Sequence, residues 1–382
     1  MPKKIIIAST EIATGGLGSY LVTLARGLES RGWEVHLLVT NVHSKYFGSM
    51  AADFNCHNLS TIALSPKKVF ITADLVNSII PDVILTNNCA LMQYATPLIA
   101  PAIKTISVLH SDDSRFYAIA ALFPERVFRW IAPTAGLASR FREFVDQGLY
   151  EKIRIIPHGV DRRRFFPEHN GDNGSSFRIL FVGFLGESKG ANLLPEIFQK
   201  IASAIPEALF TIIGDGPLSA SLGEEFKKRG MQNKIVMRDV TSPDQTAEAM
   251  RASQILILPT NLEGFGIVIV EAMMCGVVPV VSRLTGITDQ LVRDGETGFL
   301  VPPRDVNEFV EAVKRIHRDS ELFRVMSTKA LKTAAEKFSV DTMVDRYEAL
   351  FSEPKDRDIS EKRSLPVWYV EAAIQFLRKR LR

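Results

Sequence analysis

What this chain has little of narrows it before any motif is read. Cysteine is scarce: Cys56, Cys89 and Cys275 are an odd number without metal-ligand spacing. A disulfide framework and a cysteine zinc site are therefore excluded as organising devices, and a reducing cytoplasm is the expected compartment. No cluster of histidines or carboxylates has the spacing of a metal site, so no metal and no other cofactor is expected. Charge of one sign is also missing, since 46 basic and 43 acidic residues leave a formal +3, and no global field argues for nucleic acid. Long apolar runs are absent too. The longest, residues 266–281, is interrupted by Glu271 and broken by Gly276 and Pro279, which argues against a bilayer span. Nothing at the N-terminus reads as a signal peptide, because Lys3-Lys4 leads straight into a strand pattern.

What is present is a twofold rhythm of continuous apolar runs and helical patterns. Ile5–Ala8, a helix over about 17–31, Val35–Val39, Val83–Leu85 and Ile106–Leu109 form a first series. Runs apolar on both faces between helices are what parallel strands covered on both sides look like. Residues 157–176, with Arg162-Arg-Arg164, two prolines and a Gly/Asn/Ser string, break the rhythm and suggest an exposed linker. A second series follows at 178–182, 209–213, 235–237, 255–258 and 278–282. At 382 residues the chain fits two domains, and two doubly wound α/β sheets facing a cleft are the natural solution.

The densest chemistry lies in Asn261-Leu-Glu-Gly-Phe-Gly-Ile-Val-Ile-Val-Glu271. Gly264 and Gly266 let backbone approach a ligand, and a helix starting near Gly266 aims free amides at an anion. Glu271, in the second turn of that helix, can accept hydrogen bonds from a vicinal diol, while Glu263 lies in the preceding loop; a helix-start carboxylate serving the dipole and a surface loop residue are the plain alternatives. Phosphate, diol and a second polar handle together suggest a sugar nucleotide. In Thr14-Gly15-Gly16-Leu17-Gly18, between the first strand and its helix, the glycines again free the backbone for a ligand, although a tight turn would explain them equally well. Lys189 ends Gly183-Phe-Leu-Gly-Glu-Ser-Lys-Gly190 and can neutralise a diphosphate whose charge rises as a glycosidic bond breaks; a solvated surface lysine is the plain alternative. His110 closes a strand, where an α/β domain faces its ligand, or else caps a loop. Asp112 and Asp113 either orient acceptor hydroxyls or cap the next helix. His158 reads as a hinge-packing residue.

These motifs, with Pro157-His-Gly-Val-Asp161, Gly214-Asp-Gly-Pro217 and Asp294-Gly-Glu-Thr-Gly-Phe-Leu-Val301, occur in the order that resembles the retaining glycosyltransferases of family 4, over roughly residues 3–350. The resemblance implies a GT-B fold: an acceptor-side Rossmann-like domain over 1–165, a nucleotide-sugar-binding one over 166–340, and C-terminal helices over 341–382, the first crossing back to the N-terminal domain. It also implies a metal-independent transfer from a nucleotide-sugar donor to a hydroxyl of a glycan or lipid-linked glycan, with the anomeric configuration retained by same-face attack. His110, Glu263 and Lys189 take the catalytic roles by this likeness. Gly15, Gly16, Lys189, Gly264, Phe265, Gly266 and Glu271 bind the donor, with Glu271 on the ribose and Glu263 on the transferred sugar, and Asp112 and Asp113 stand on the acceptor side. A nucleotide-sugar epimerase and a non-catalytic sugar-nucleotide-binding subunit are the alternatives.

Three features depart from that pattern. Phe184 stands where the family commonly has an arginine, which removes a phosphate contact; either another cation replaces it, with Arg283 and Arg178 as candidates, or the diphosphate relies more on Lys189 and the helix end at Gly266. Asp289 stands where many relatives have glutamate, and Thr285 replaces a common glycine. The tail is the third. Val367, Val370, Ile374, Leu377 and Leu381 trace one helical face, and Arg378, Lys379, Arg380 and Arg382 crowd its end. Such a helix lies on an anionic membrane surface, which would make the protein peripheral, or docks on its own domain or a second subunit.

Overall fold

The structure is a computed structural model that describes residues 2–11, 15–41, 53–62, 65–168, 176–239 and 242–355. Thr14 and the amphipathic tail at 366–382 therefore lie outside the described residues.

The chain divides into two compact units, residues 1–157 with 343–382, and residues 158–342. The first carries seven parallel strands: β1 (Lys4–Ser9), β2 (Glu34–Val39), β3 (Asn55–Asn58), β4 (Val83–Asn87), β5 (Lys104–Val108), β6 (Arg129–Ala132) and β7 (Ile153–Ile155), in the order β3-β2-β1-β4-β5-β6-β7. The central strands β1 and β4 are buried almost throughout, as runs such as Ile5-Ile-Ile7 and Val83-Ile-Leu85 require when helices cover both faces. The chain order reverses between β1 and β4. Ligands of open α/β sheets bind at such a switch point, beyond the carboxyl ends of the strands.

The second unit repeats the plan with β8 (Phe177–Val182), β9 (Ala208–Ile213), β10 (Ile235–Arg238), β11 (Ile255–Leu258), β12 (Val278–Ser282) and β13 (Phe299–Val301), all parallel, ordered β10-β9-β8-β11-β12-β13. Here the switch lies between β8 and β11. Its core joins both faces of this sheet to the helices Leu194–Ala204, Ile267–Met274 and Val306–Arg318.

Two sequence expectations need adjustment. The first break falls at 157/158 rather than 165/166, and 158–168 is not an exposed linker. Val160 and Phe165 are buried in the second unit, and Val160 pairs with Ser339, its amide donating to Phe338 O at 2.8 Å. The polar residues around Val160 and Phe165 hide two apolar anchors, and the partner of Val160 lies almost 180 positions away. The second break falls at 342/343, so the chain returns to the first unit inside the helix Val340–Ser352.

That return is fastened at the amino ends of β5, β6 and β7. Lys104 Nζ donates to Phe351 O at 2.6 Å and Glu353 O at 2.7 Å, where a cation also suits a helix C-terminus. Arg129 and Arg154 reach the Glu353 carboxylate at 2.9 and 3.2 Å. Burial works to raise the Glu353 pKa, but the hydrogen bonds from these two arginines prevail and hold it below the usual range. Higher on the same helix, Tyr347 OH meets Tyr20 OH at 2.6 Å in a fully buried pair.

Candidate active site

In the second unit, the loop after β8 and the loop after β11 are drawn together by backbone. Asn261 and Leu262 amides both donate to Ser188 O, at 2.9 and 3.1 Å, and Thr260 Oγ1 donates to the same oxygen at 3.1 Å. Gly190 makes the approach possible: its φ is +68°, and a Cβ there would fall 1.9 Å from Pro259 O. The Gly214–Pro217 turn packs behind in the same way. Leu185 N donates to Asp215 O at 2.9 Å, and a Cβ on Gly214 would lie 1.9 Å from Gly183 O.

This docking sets Lys189 Nζ 2.6 Å from Glu263 Oε1 and 3.0 Å from Leu262 O. Glu263 is 7% exposed and Lys189 about a quarter, so the pair is partly desolvated, and removing either partner would strand a charge. The residues that follow turn at Gly266, with φ +88°, into the helix Ile267–Met274. No side chain caps that helix, which leaves its first amides available to an acceptor. A Cβ on Gly266 would come 2.9 Å from Ile269 Cδ1. Glu271 is buried within the helix, a carboxyl held in a nearly all-apolar segment. Phe265 is buried against His158, ring centroids 5.0 Å apart, so His158 supports the Gly264-Phe265-Gly266 backbone from below.

Neither candidate replacement for the arginine missing at Phe184 is free at this edge. Arg283, after β12, is paired with Asp294, and Arg178 sits at the start of β8, the opposite end of that strand from Gly183. Phe184 itself is half exposed. In the altered loop after β12, Thr288 Oγ1 donates to Ser282 O and accepts from Leu284 N, both at 2.7 Å, while Asp289 is exposed.

The first unit holds His110 two residues beyond the end of β5. Its Nε2 lies 2.9 Å from Asn87 Oδ1, and Asn87 Nδ2 donates to Ala8 O and Leu85 O. With the amide oriented by those carbonyls, Oδ1 must accept, so Nε2 carries the proton and Nδ1 is left as an acceptor. The ring keeps a partly exposed edge, yet protein surrounds it closely enough that desolvation lowers its pKa to about 3. It also packs on Tyr20, centroids 5.0 Å apart, in the helix Gly16–Glu29 that opens at Gly15 with φ +113° and no side-chain cap. Gly15, Gly16 and His110 thus gather at one end of one sheet.

Asp112 and Asp113 are already engaged. Asp113 caps the helix Ser114–Ala120, accepting from Arg115 N at 2.9 Å, and pairs with the Arg115 guanidinium, whose hydrogen bond holds its pKa below the usual range. Asp112 meets Arg140 at 2.8 Å and accepts from Tyr117 OH at 3.1 Å. The helix-capping alternative describes Asp113.

Sequence reasoning missed Asn87 and Asn261. Asn87 was legible as a polar residue closing the apolar strand Val83-Ile-Leu-Thr-Asn87 at its carboxyl end. Asn261 Nδ2 donates to Glu187 O at 2.7 Å and so ties the Glu263 loop to the Lys189 loop, which nothing local foretells. Among the described residues, no group of three histidine, cysteine or acidic side chains is placed to hold a metal ion, and no helix is long and apolar enough to cross a membrane.

Comparison with known proteins places this arrangement. Residues 14–164 match the Glycosyltransferase Family 4 family and residues 162–333 match Glycosyl transferases group 1. The chain is 22% identical over 370 residues to the N-acetyl-alpha-D-glucosaminyl L-malate synthase of Bacillus anthracis, covering 89% of this chain and 94% of that one. It is 27% identical over 212 residues to the Escherichia coli UDP-Gal:alpha-D-GlcNAc-diphosphoundecaprenol alpha-1,3-galactosyltransferase, covering 52% of this chain and 54% of that one, so it spans about half of that relative's length. Among solved structures, Anabaena HepE in complex with UDP and glucose superposes with a TM-score of 0.77 at 18% identity, covering 92% of this chain and 99% of that chain. Two parallel Rossmann-like sheets, the GT-B likeness and the two family matches in sequence order lead to one conclusion: the chain belongs to the family 4, group 1 glycosyltransferases and is a glycosyltransferase enzyme.

Proposed function

We propose that the enzyme moves a glycosyl group from a nucleotide-sugar donor to a hydroxyl of a glycan or lipid-linked glycan, with retention and without a metal. The observation that carries this reading is the Lys189–Glu263 pair, 2.6 Å apart, beside an uncapped helix start at Gly266 that buries Glu271. The helix amides and Lys189 take the donor's diphosphate, Glu271 accepts the ribose diol, and Glu263 with the Gly264–Gly266 backbone takes the sugar. As the anomeric C–O bond to the diphosphate breaks, the acceptor oxygen bonds to the same face of that carbon. Its proton passes to the departing phosphate oxygen. With its pKa held at about 3 by desolvation, His110 in the first unit is neutral and does not act as an acid. The UDP-glucose complex of the Anabaena neighbour and the lipid-diphosphate acceptor named for the Escherichia coli relative favour this donor and acceptor class.

The test is a thermal-shift panel of UDP, GDP, ADP and their sugars, followed by assay of nucleotide release with glycan and lipid-linked acceptors. A ligand at about 100 times its dissociation constant should stabilise the protein by about 2.7 kcal/mol. Acceptor-dependent nucleotide release with a retained anomeric centre is expected. Product from donor alone would make the enzyme an epimerase, and stabilisation without release for any acceptor would make it a binding subunit.

A further inference from the structure

The donor reading leaves the site short of positive charge. Lys189 is already paired with Glu263 and Arg283 with Asp294, while Glu271 brings a further carboxyl. Phe184 offers no charge at all, and a diphosphate leaving group gains negative charge as its bond to the sugar breaks. A cation without a carboxylate partner is what the donor reading still calls for beside Lys189.

Arg304 fits that description. It follows β13, on the same carboxyl edge as Lys189 and Glu263, since all the strands of this sheet run parallel. Among the described residues of the second unit it is the one non-glycine residue with a left-handed backbone, φ 67°. Glycine would hold that conformation without strain, so the turn does not call for an arginine. Its Nε donates to Asn261 Oδ1 at 3.3 Å, and it makes no ion pair among the described residues. Asn261 in turn donates to Glu187 O at 2.7 Å, so this guanidinium is anchored to the two loops that carry Glu263 and Lys189, with its terminal amino groups unspent.

We infer that Arg304 supplies a second cationic contact to the donor's diphosphate, replacing from the end of β13 the charge absent at Phe184; this rests on the donor reading above. A planar guanidinium held by one nitrogen keeps two more for phosphate oxygens. Its strained backbone presets the approach, so less freedom is lost on binding.

The experiment titrates UDP, GDP and ADP, and the corresponding nucleosides, into the wild type, R304G, R304K and R238A. Arg238 is the control: it ends β10 exposed and without an ion pair among the described residues, but its backbone is tied to Gly214, not to Asn261. R304G should bind the preferred nucleoside diphosphate about tenfold more weakly, as for the loss of a charge-assisted contact, and with a shallower salt dependence. Its melting temperature should hold or rise, because glycine relieves the left-handed residue. Nucleoside affinity should not change, R304K should fall between, and R238A should match the wild type. Undiminished diphosphate binding by R304G, or an equal loss of nucleoside binding, overturns the assignment. A wild type that binds none of the three diphosphates overturns the donor reading itself and this inference with it.

Discussion

The two units share a strand order but hold their polar residues by opposite means. At the carboxyl edge of the first sheet, His110 and Asn87 form a neutral network oriented by the carbonyls of Ala8 and Leu85. At the same edge of the second, Lys189 and Glu263 form an ion pair whose register depends on backbone contacts between two loops. A neutral network fixes direction and tautomer at little cost, whereas an ion pair supplies field and is sensitive to every charge around it. One Rossmann-like plan can thus serve orientation in one domain and charge stabilisation in the other. The units also differ in continuity: the second is one stretch of chain, and the first is completed by residues 343–355.

The largest effects should come from the charged side. Lys189→Ala and Glu271→Ala should each lower kcat/KM by about 30- to 150-fold, as the loss of a buried, charge-assisted hydrogen bond worth about 2 to 3 kcal/mol implies. Near-native turnover in both, with the fold intact, would leave the contrast between the domains without a function.

Continuity is probed by Glu353→Ala. It removes the carboxylate that the buried Arg129 shares with Arg154 and loosens the return of the chain to the first sheet, so denaturant unfolding should show a loss of about 2 kcal/mol. Donor binding by the second unit should survive. An unfolding curve that superposes on the wild type would show that Glu353 does not fasten the first unit.

The neutral side should show itself through pH. His110 has its pKa depressed from 6.5 to about 3, so the folded state resists protonation while the unfolded chain takes up a proton below about 6.5. Its contribution to stability is therefore complete above about pH 6.5 and is lost progressively as pH falls toward about 3. Between pH 7 and pH 5 that loss amounts to about 2 kcal/mol or less. Urea unfolding of the wild type and of His110→Phe at both pH values measures it, the wild type losing more on acidification. Equal losses would mean that His110 titrates normally.

The smallest expected effect is none. EDTA should leave transfer unchanged if, as proposed, the diphosphate is met by Lys189 and helix amides. Abolition by EDTA with recovery in magnesium or manganese would move charge stabilisation from side chains to an ion.

Much of this was legible along the chain. The alternation of doubly apolar runs with helical patterns gave two α/β domains, and the spacing of Glu263, Gly264, Gly266 and Glu271 located a helix start flanked by two carboxyls. The capping role of Asp113 was one of its two readings. Less visible was the fate of 158–168, whose arginines and prolines look like a linker while Val160 and Phe165 pack into a core. Charges on such a string report its solvent face and say nothing of which two residues turn inward.

By itself the sequence determined what depends on period and on local backbone: strand and helix type, the glycine turns at Gly15, Gly190 and Gly266, and the grouping of ligand-side residues at strand ends. Those properties are set by neighbours within a few positions. Only the tertiary structure decided which charges meet. Lys189 finds Glu263 more than 70 positions away because Gly190 lets its loop touch Pro259, and Arg304 reaches Asn261 across β12. Side chains pair according to which loops the sheet order brings side by side, and the strength of a pair depends on the water excluded around it. Neither quantity is written in the spacing of the residues.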